Sequence, residues 1–187
     1  MGEPRWFYHH EYEWVALVER LKLTPCPHCH VVGTLIRHGS LTGFDDSSPR
    51  RKTLRARRIF CSNRHRRPGC GRTVSVWLAD KIRRLSATTR TLGTFLRHFV
   101  ADGLAAAIRA TRCHRSDRTW QRLGRRFDLA QSRLRTALLA RGPPPEGPPG
   151  PARRPDAAHV LAHLHATFPD ADCPLAAFQQ ATRSFVL

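Results

Sequence analysis

The spacing of apolar residues changes twice along the chain, and the changes divide it into segments. In residues 4–22, Phe7, Trp14, Val18 and Leu21 recur near a helical period, and Pro25 with Pro27 ends the run. This spacing predicts a first helix in residues 1–23 that packs on the rest of the molecule. The period is then lost. Residues 31–37, 52–60 and 73–78 are short extended runs bounded by Pro, Gly and Cys, and they read as three strands. Residues 41–49 between the first two carry Gly, Asp, Ser and Pro and read as a loop.

A helical pattern returns after Lys81. Ser86 is placed to cap a helix ending at Ala101, with Leu92, Phe95, Leu96 and Phe99 on one face. Asp102-Gly103 interrupts it. Residues 104–110 form a short, small-sided helix and residues 111–115 a turn. Ser116 then caps a long helix to Ala140, in which Trp120, Leu123, Phe127, Ala130, Leu134 and Leu138 step by three or four. Residues 142–155 are so dense in Pro that helix and sheet are excluded, and they read as a stiff linker. Two further helices, residues 157–168 and 174–185, follow as a tail that the linker should uncouple. The expected fold class is α+β: a small three-stranded ribbon (24–80), a helical helix-turn-helix domain (81–141), a linker (142–155) and a helical tail (156–187).

Charge sharpens this division. The net charge is +18, from 32 Lys+Arg against 14 Asp+Glu. Residues 50–141 hold 25 of the basic and four of the acidic side chains, a net of +21, while the two flanks are slightly acidic. Arg dominates over Lys. A biased genome accounts for that preference but not for its position. A concentrated Arg field attracts polyphosphate, and planar guanidinium suits phosphate oxygens and guanine edges. No apolar run reaches the roughly 18 residues that span a membrane. The first ten residues contain no apolar core of a secretory leader, so the expected location is the reducing cytoplasm, at the nucleoid. There the six cysteines read as thiols or metal ligands.

Four of them have ligand spacing. Cys26-Pro27-His28-Cys29 is a pair two residues apart, and Cys61 and Cys70 follow with eight residues between them. Zinc takes four soft ligands at tetrahedral corners, and tight knuckles supply two each. Gly69 and Gly71 flank Cys70, and a core this small needs such a staple. The expected ligands are Cys26, Cys29, Cys61 and Cys70 on Zn2+, with His28, His30, His38 or His65 close enough to replace one. The competing chemistry is thiol–disulfide exchange by Cys-Pro-His-Cys, which requires the motif to start a helix after a buried strand. A preceding helix and following β-branched residues speak against it. Cys113 and Cys173 read as small buried thiols.

The basic residues fall in two groups. Arg115, Arg118, Arg122, Arg125 and Arg126 lie on the long helix, opposite Trp120, Leu123 and Phe127. A helix fits the major groove, so Arg118, Thr119, Gln121 and Arg122 are candidate base readers. Arg55, Arg57, Arg58, Arg64, Arg66, Arg67 and Arg72 belong to the ribbon and read as a phosphate-binding surface.

Cys-Pro-His-Cys (26–29), Arg37-His38-Gly39, the basic strand into Cys61, and Gly69-Cys70-Gly71-Arg72-Thr73 with Val74-Ser75 together resemble the zinc ribbon of bacterial insertion-sequence transposases. Those ribbons are commonly followed by a helix-turn-helix that binds the element's ends, and the resemblance spans residues 25–127. The chain departs from it in the insertion between Cys61 and Cys70. It departs also in the acidic residues after 80, none of which ends a strand-like run as the carboxylates of a two-metal nuclease would. The only tyrosines, Tyr8 and Tyr12, lie in the predicted first helix. The resemblance therefore implies a zinc-dependent DNA-binding relative or accessory of transposases without a catalytic site. Its partners would be duplex DNA and a transposase or a second copy, with no membrane. The alternative is a ribbon adaptor that docks on RNA or a protein.

Overall fold

A computed structural model describes residues 6–46, 48–83, 85, 87–111, 116–147 and 150–187, the side chains at 45, 48 and 49 excepted. Among these residues it is an α+β molecule with one four-stranded sheet and six helices: β1 (Trp6–Tyr8), α1 (Glu11–Glu19), β2 (Leu35–Asp45), β3 (Ser48–Cys61), β4 (Thr73–Leu78), α2 (Thr89–Ala101), α3 (Leu104–Thr111), α4 (Asp117–Leu139), α5 (Pro155–Thr167) and α6 (Pro174–Thr182). The sheet order is β1-β4-β3-β2. β3 is antiparallel to both neighbours, and β1 lies parallel to β4.

The fourth strand corrects the predicted first helix. Trp6, Phe7 and Tyr8 are aromatic residues that suit a pleated edge, and they pair with Val76, Trp77 and Leu78. The helix starts only at Glu11, after extended His10. Trp14 and Leu21 are buried as their spacing suggests. Phe7 instead meets Phe185, edge-on at 5.0 Å.

The predicted loop at 41–49 is also corrected. β2 and β3 form a long hairpin whose pairing continues to Asp45 opposite Ser48, with bulges along the way. Gly43 pairs with Thr53 there. Its lack of a side chain serves close approach rather than a turn: a Cβ at Gly43 would lie 2.7 Å from Arg55 Cδ.

The helical half follows its apolar pattern closely. Leu92, Phe95, Leu96 and Phe99 of α2 and Trp120, Leu123, Phe127, Ala130, Leu134 and Leu138 of α4 share one core. Trp120 stacks on Phe95 at 4.6 Å. The predicted cap Ser86 lies outside the described residues; Thr88 caps α2, its hydroxyl accepting from Thr91 N–H at 3.3 Å. Gly103, at φ +92, turns the chain between α2 and α3.

The tail is not uncoupled. Ala157, Val160, Leu161 and Leu164 of α5 and Leu175 and Phe178 of α6 lie in the same core as α2 and α4. The Pro-rich segment ends where Arg153 and Arg154 N–H groups donate to Ala101 and Val100 carbonyls. Helices this apolar on one side need a partner surface, and the exposed core of α2 and α4 supplies it. α6 also reaches the sheet half: buried Gln179 donates to the Ala79 and Lys81 carbonyls, and Gln180 to Glu13 at 2.7 Å. Among the described residues, no helix is long and apolar enough to cross a membrane.

Candidate metal centre and basic surface

The chain around Cys26-Pro27-His28-Cys29 is a turn, and no helix starts in it. Cys26 N–H donates to the Val31 carbonyl and His30 N–H to the Cys26 carbonyl at 2.8 Å, with His30 at φ +60 closing the loop. The second arm is built across the end of β3. Cys61 N–H donates to the Arg72 carbonyl, and Gly71 N–H returns to the Cys61 carbonyl. Gly69 passes against Ser62, and a Cβ there would lie 2.2 Å from the Ser62 carbonyl oxygen and 2.9 Å from Cys61 Sγ. Gly71, at φ +70, completes the turn.

These two arms bring the sulfur atoms of Cys26, Cys29, Cys61 and Cys70 within 4.8 Å of one another. Cys26 Sγ lies 3.8 Å from Cys70 Sγ, and Cys29 Sγ 3.7 Å from Cys61 Sγ. All four are free thiols. A disulfide would need about 2.05 Å. Backbone N–H groups point at the sulfurs: His28 N–H to Cys26 Sγ at 3.4 Å and Cys70 N–H to Cys61 Sγ at 3.2 Å. Burial pushes the Cys26 thiol up to about 12. The Val31 N–H, first among the causes, brings Cys29 down to about 7. Burial also raises Cys70. Four sulfurs with N–H donors and little room for separate negative charges form a cluster that could hold a metal ion. It is the only such cluster of His, Cys or acidic groups among the described residues.

One contributor was not legible in the sequence. Buried Thr34 places its hydroxyl 3.1 Å from Cys61 Sγ, and its carbonyl accepts Ser62 N–H. The chain between the first cysteine pair and β2 gives no spacing rule for such a residue. The histidines take no place in the cluster: His38 lies against Phe60, and His65 is exposed at φ +53.

No protein-family model, no curated protein and no solved structure matches this chain.

The arginines predicted as one phosphate surface divide by role. Arg55 is 9% exposed, and its guanidinium donates to the carbonyls of Phe44, Ile82 and Leu85 at 3.0, 2.6 and 2.5 Å. It ties the hairpin to the start of the helical half and offers nothing to a phosphate. Arg57 lies over the Trp14 ring, donates to Tyr8 Oη and pairs with both oxygens of Glu11 at 2.7 Å. It therefore packs the first helix against the sheet. For Arg57 the physical reason is the strand's alternation, since the face that carries it also carries Ile59 and Cys61 into the core; Arg55 sits at the register shift of β3 against Leu41 and Thr42.

The remaining ribbon residues stay at the surface. Arg58 is half-buried on the opposite face of β3; Arg64, Arg66, Arg67 and Arg72 are exposed. On α4, Arg118, Gln121, Arg122, Arg125 and Arg126 are exposed and Thr119 is half-buried, its hydroxyl 3.1 Å from Ser116 Oγ. Arg115 and Cys113 lie outside the described residues. Two carboxylates lie on α4: Asp117 precedes Arg118 in the first turn, and Asp128 is held by Arg154 at 2.8 Å. Cys173 is half-buried beside Thr89.

Proposed function

We propose that this protein is a zinc-dependent DNA-binding protein. The sulfur separations support zinc. With Zn–S near 2.3 Å, a tetrahedron has S–S edges of about 3.8 Å, and two of the pairs are 3.8 and 3.7 Å apart. The observation that carries the DNA reading is the exposed row Arg118, Gln121, Arg122, Arg125 and Arg126 on one helix of 23 residues. Among the described residues, none of its four arginines is ion-paired. Cations left without protein anions favour a polyanion. With α3 before it, α4 acts as the recognition helix of a helix-turn-helix. The resemblance to the ribbons of insertion-sequence transposases supports transposition as the process, with transcription as the other, and a transposase or a second copy as the protein partner.

Binding isotherms on a preferred and a random duplex, at several salt concentrations, test this. Arg118→Ala or Arg122→Ala should cost roughly 1–3 kcal/mol on the preferred site and far less on random DNA. Arg66→Ala should weaken both alike and lower the salt slope by about one unit. Equal weakening of both duplexes by all three variants would remove base reading by α4. Absence of duplex binding by the zinc-loaded chain would end the proposal.

A further inference from the structure

One face of the sheet is left partly uncovered. On β3, Phe60 stands opposite Ile36 of β2 and Thr73 of β4, and Arg58 stands opposite Ser75. Strand alternation puts these five on one face. Further along that face, buried Ala56 lies opposite Trp77, and Phe185 covers this end, its ring 5.2 Å from the Trp77 ring. Among the described residues, the cover does not continue. Ile36, Arg58, Phe60, Thr73 and Ser75 are all half-buried, and neither Ile36 nor Phe60 belongs to a core cluster.

The Phe60 ring is flanked by polar, π-capable groups. Exposed His38 lies 5.2 Å away with its ring tilted by 34°, and the guanidinium of exposed Arg64 sits over the ring at 5.7 Å. Residues 35–44 and 50–79 contain no Asp or Glu. The face therefore combines an aromatic surface, two guanidinium groups and an imidazole with small hydroxyls, and residues 35–44 of β2, 50–61 of β3 and all of β4 supply no anion.

We infer that this face binds unpaired nucleotides, with a base stacked at Phe60 and the adjoining phosphates held by Arg58 and Arg64. This rests on the nucleic-acid reading above and narrows it. A paired duplex keeps its base planes stacked on each other, so an aromatic ring on a sheet gains little from it. A single strand offers both π-faces and phosphates at nucleotide spacing. The Arg64 guanidinium occupies the kind of position a base plane takes and comes from the loop between Cys61 and Cys70. An apolar protein partner would find only Ile36 and Phe60 between charged and hydroxyl groups.

The test uses the full-length, zinc-loaded chain. Fluorescence anisotropy measures binding to labelled oligothymidylate of about 12 nucleotides, a length within the range such folds cover, and to a blunt duplex. A second oligonucleotide carries 2-aminopurine, whose emission falls when it stacks on an aromatic ring. Phe60→Leu keeps apolar volume but removes the stacking face. It should weaken single-strand binding by about tenfold, inside the range found for one base–aromatic stack. It should also abolish the 2-aminopurine quenching and leave duplex binding unchanged. Phe60→Trp should restore both. His38→Ala and Arg58→Gln lie at the surface and give the same measurement if Phe60→Leu lowers zinc content or helicity. Unchanged single-strand affinity in these variants overturns the inference, as does equal loss on both nucleic acids. A polyglutamate peptide that binds through Phe60 in place of oligothymidylate also overturns it, in favour of a protein partner. If Arg118→Ala weakens duplex binding while the Phe60 series has no effect, only this inference falls. A chain that binds neither nucleic acid overturns both readings.

Discussion

Among the described residues, the sheet half of the molecule closes a core of eight buried residues, from Tyr8 to Val76, and two of those eight are Cys26 and Cys61. The helical half closes one of twenty described residues, from Ile82 to Val186, with no cysteine among them. The smaller cluster is small for a domain of that length, and the proposed zinc would supply the staple that such a core needs. The larger cluster holds through apolar burial alone. The seams between them combine polar and aromatic contacts: Gln179 and Arg55 donate to carbonyls on the far side, and Phe185 closes over Phe7 and Trp77. A staple that assembles the sheet half should therefore leave the helical half largely independent of it.

The strongest way to break this comparison is to remove the proposed zinc. A structural zinc contributes on the order of 10–16 kcal/mol to folding in small metal-bound modules. Chelation, or Cys26→Ser, should abolish amide-exchange protection at residues 26–78 while α2 and α4 keep theirs. Uniform loss in both halves would show that the cores fold as one. Next in size is truncation after Arg141. It removes Val160, Leu161, Leu164, Leu175 and Phe178 from the core. At about 1.5–3 kcal/mol for each large side chain, the loss rivals the whole stability of a domain. Thermal unfolding of the truncated chain should lose cooperativity in the helical half. A sharp transition near that of the full chain would restore the tail to an independent appendage.

Trp120→Ala should cost about 3–5 kcal/mol in denaturant midpoint experiments, because Trp120 is fully buried against Phe95. The loss should fall on α2 through α6 and spare the metal cluster, so unchanged zinc content is part of the expected result. Arg55→Ala should cost roughly 2–3 kcal/mol by orphaning the Ile82 and Leu85 carbonyls. It should loosen the seam more than either core, seen as faster exchange near residues 82–85. The smallest effect belongs to Glu11→Gln. Glu11 is well exposed, so its pair with Arg57 should contribute less than about 1 kcal/mol. A larger loss would mean that the first helix is part of the staple.

Much of this fold was legible beforehand, and the failures share one cause. The periodic residues of α2 and α4, from Leu92 to Leu138, announced their buried face because helical spacing is a local property. The four cysteines announced themselves by type and spacing, and the structure gathers their sulfurs. The errors came where partners lie far away in the chain. Phe7 fitted a helical period, but its neighbours are Trp77 and Phe185. Gly43 looked like a turn residue, yet its smallness accommodates Arg55. The Pro-rich segment looked like a spacer, but α5 and α6 had an apolar surface on α2 and α4 to return to.

The arginines show the same division. Composition alone placed a net +21 within residues 50–141 and so fixed where a polyanion would be drawn. It could not tell Arg55 and Arg57 from Arg58, because consecutive strand residues alternate faces and only packing decides which face is covered. Tertiary structure buried Arg55 among carbonyls, gave Arg57 to Glu11, and left Arg58 beside Phe60 on open sheet. Residue type and local period carry short-range information, and they set the helices, the ligand pairs and the charge field. Which polar group satisfies the fold and which stays available to a ligand depends on neighbours distant in the chain. That was decided when the sheet and the two C-terminal helices closed around their cores.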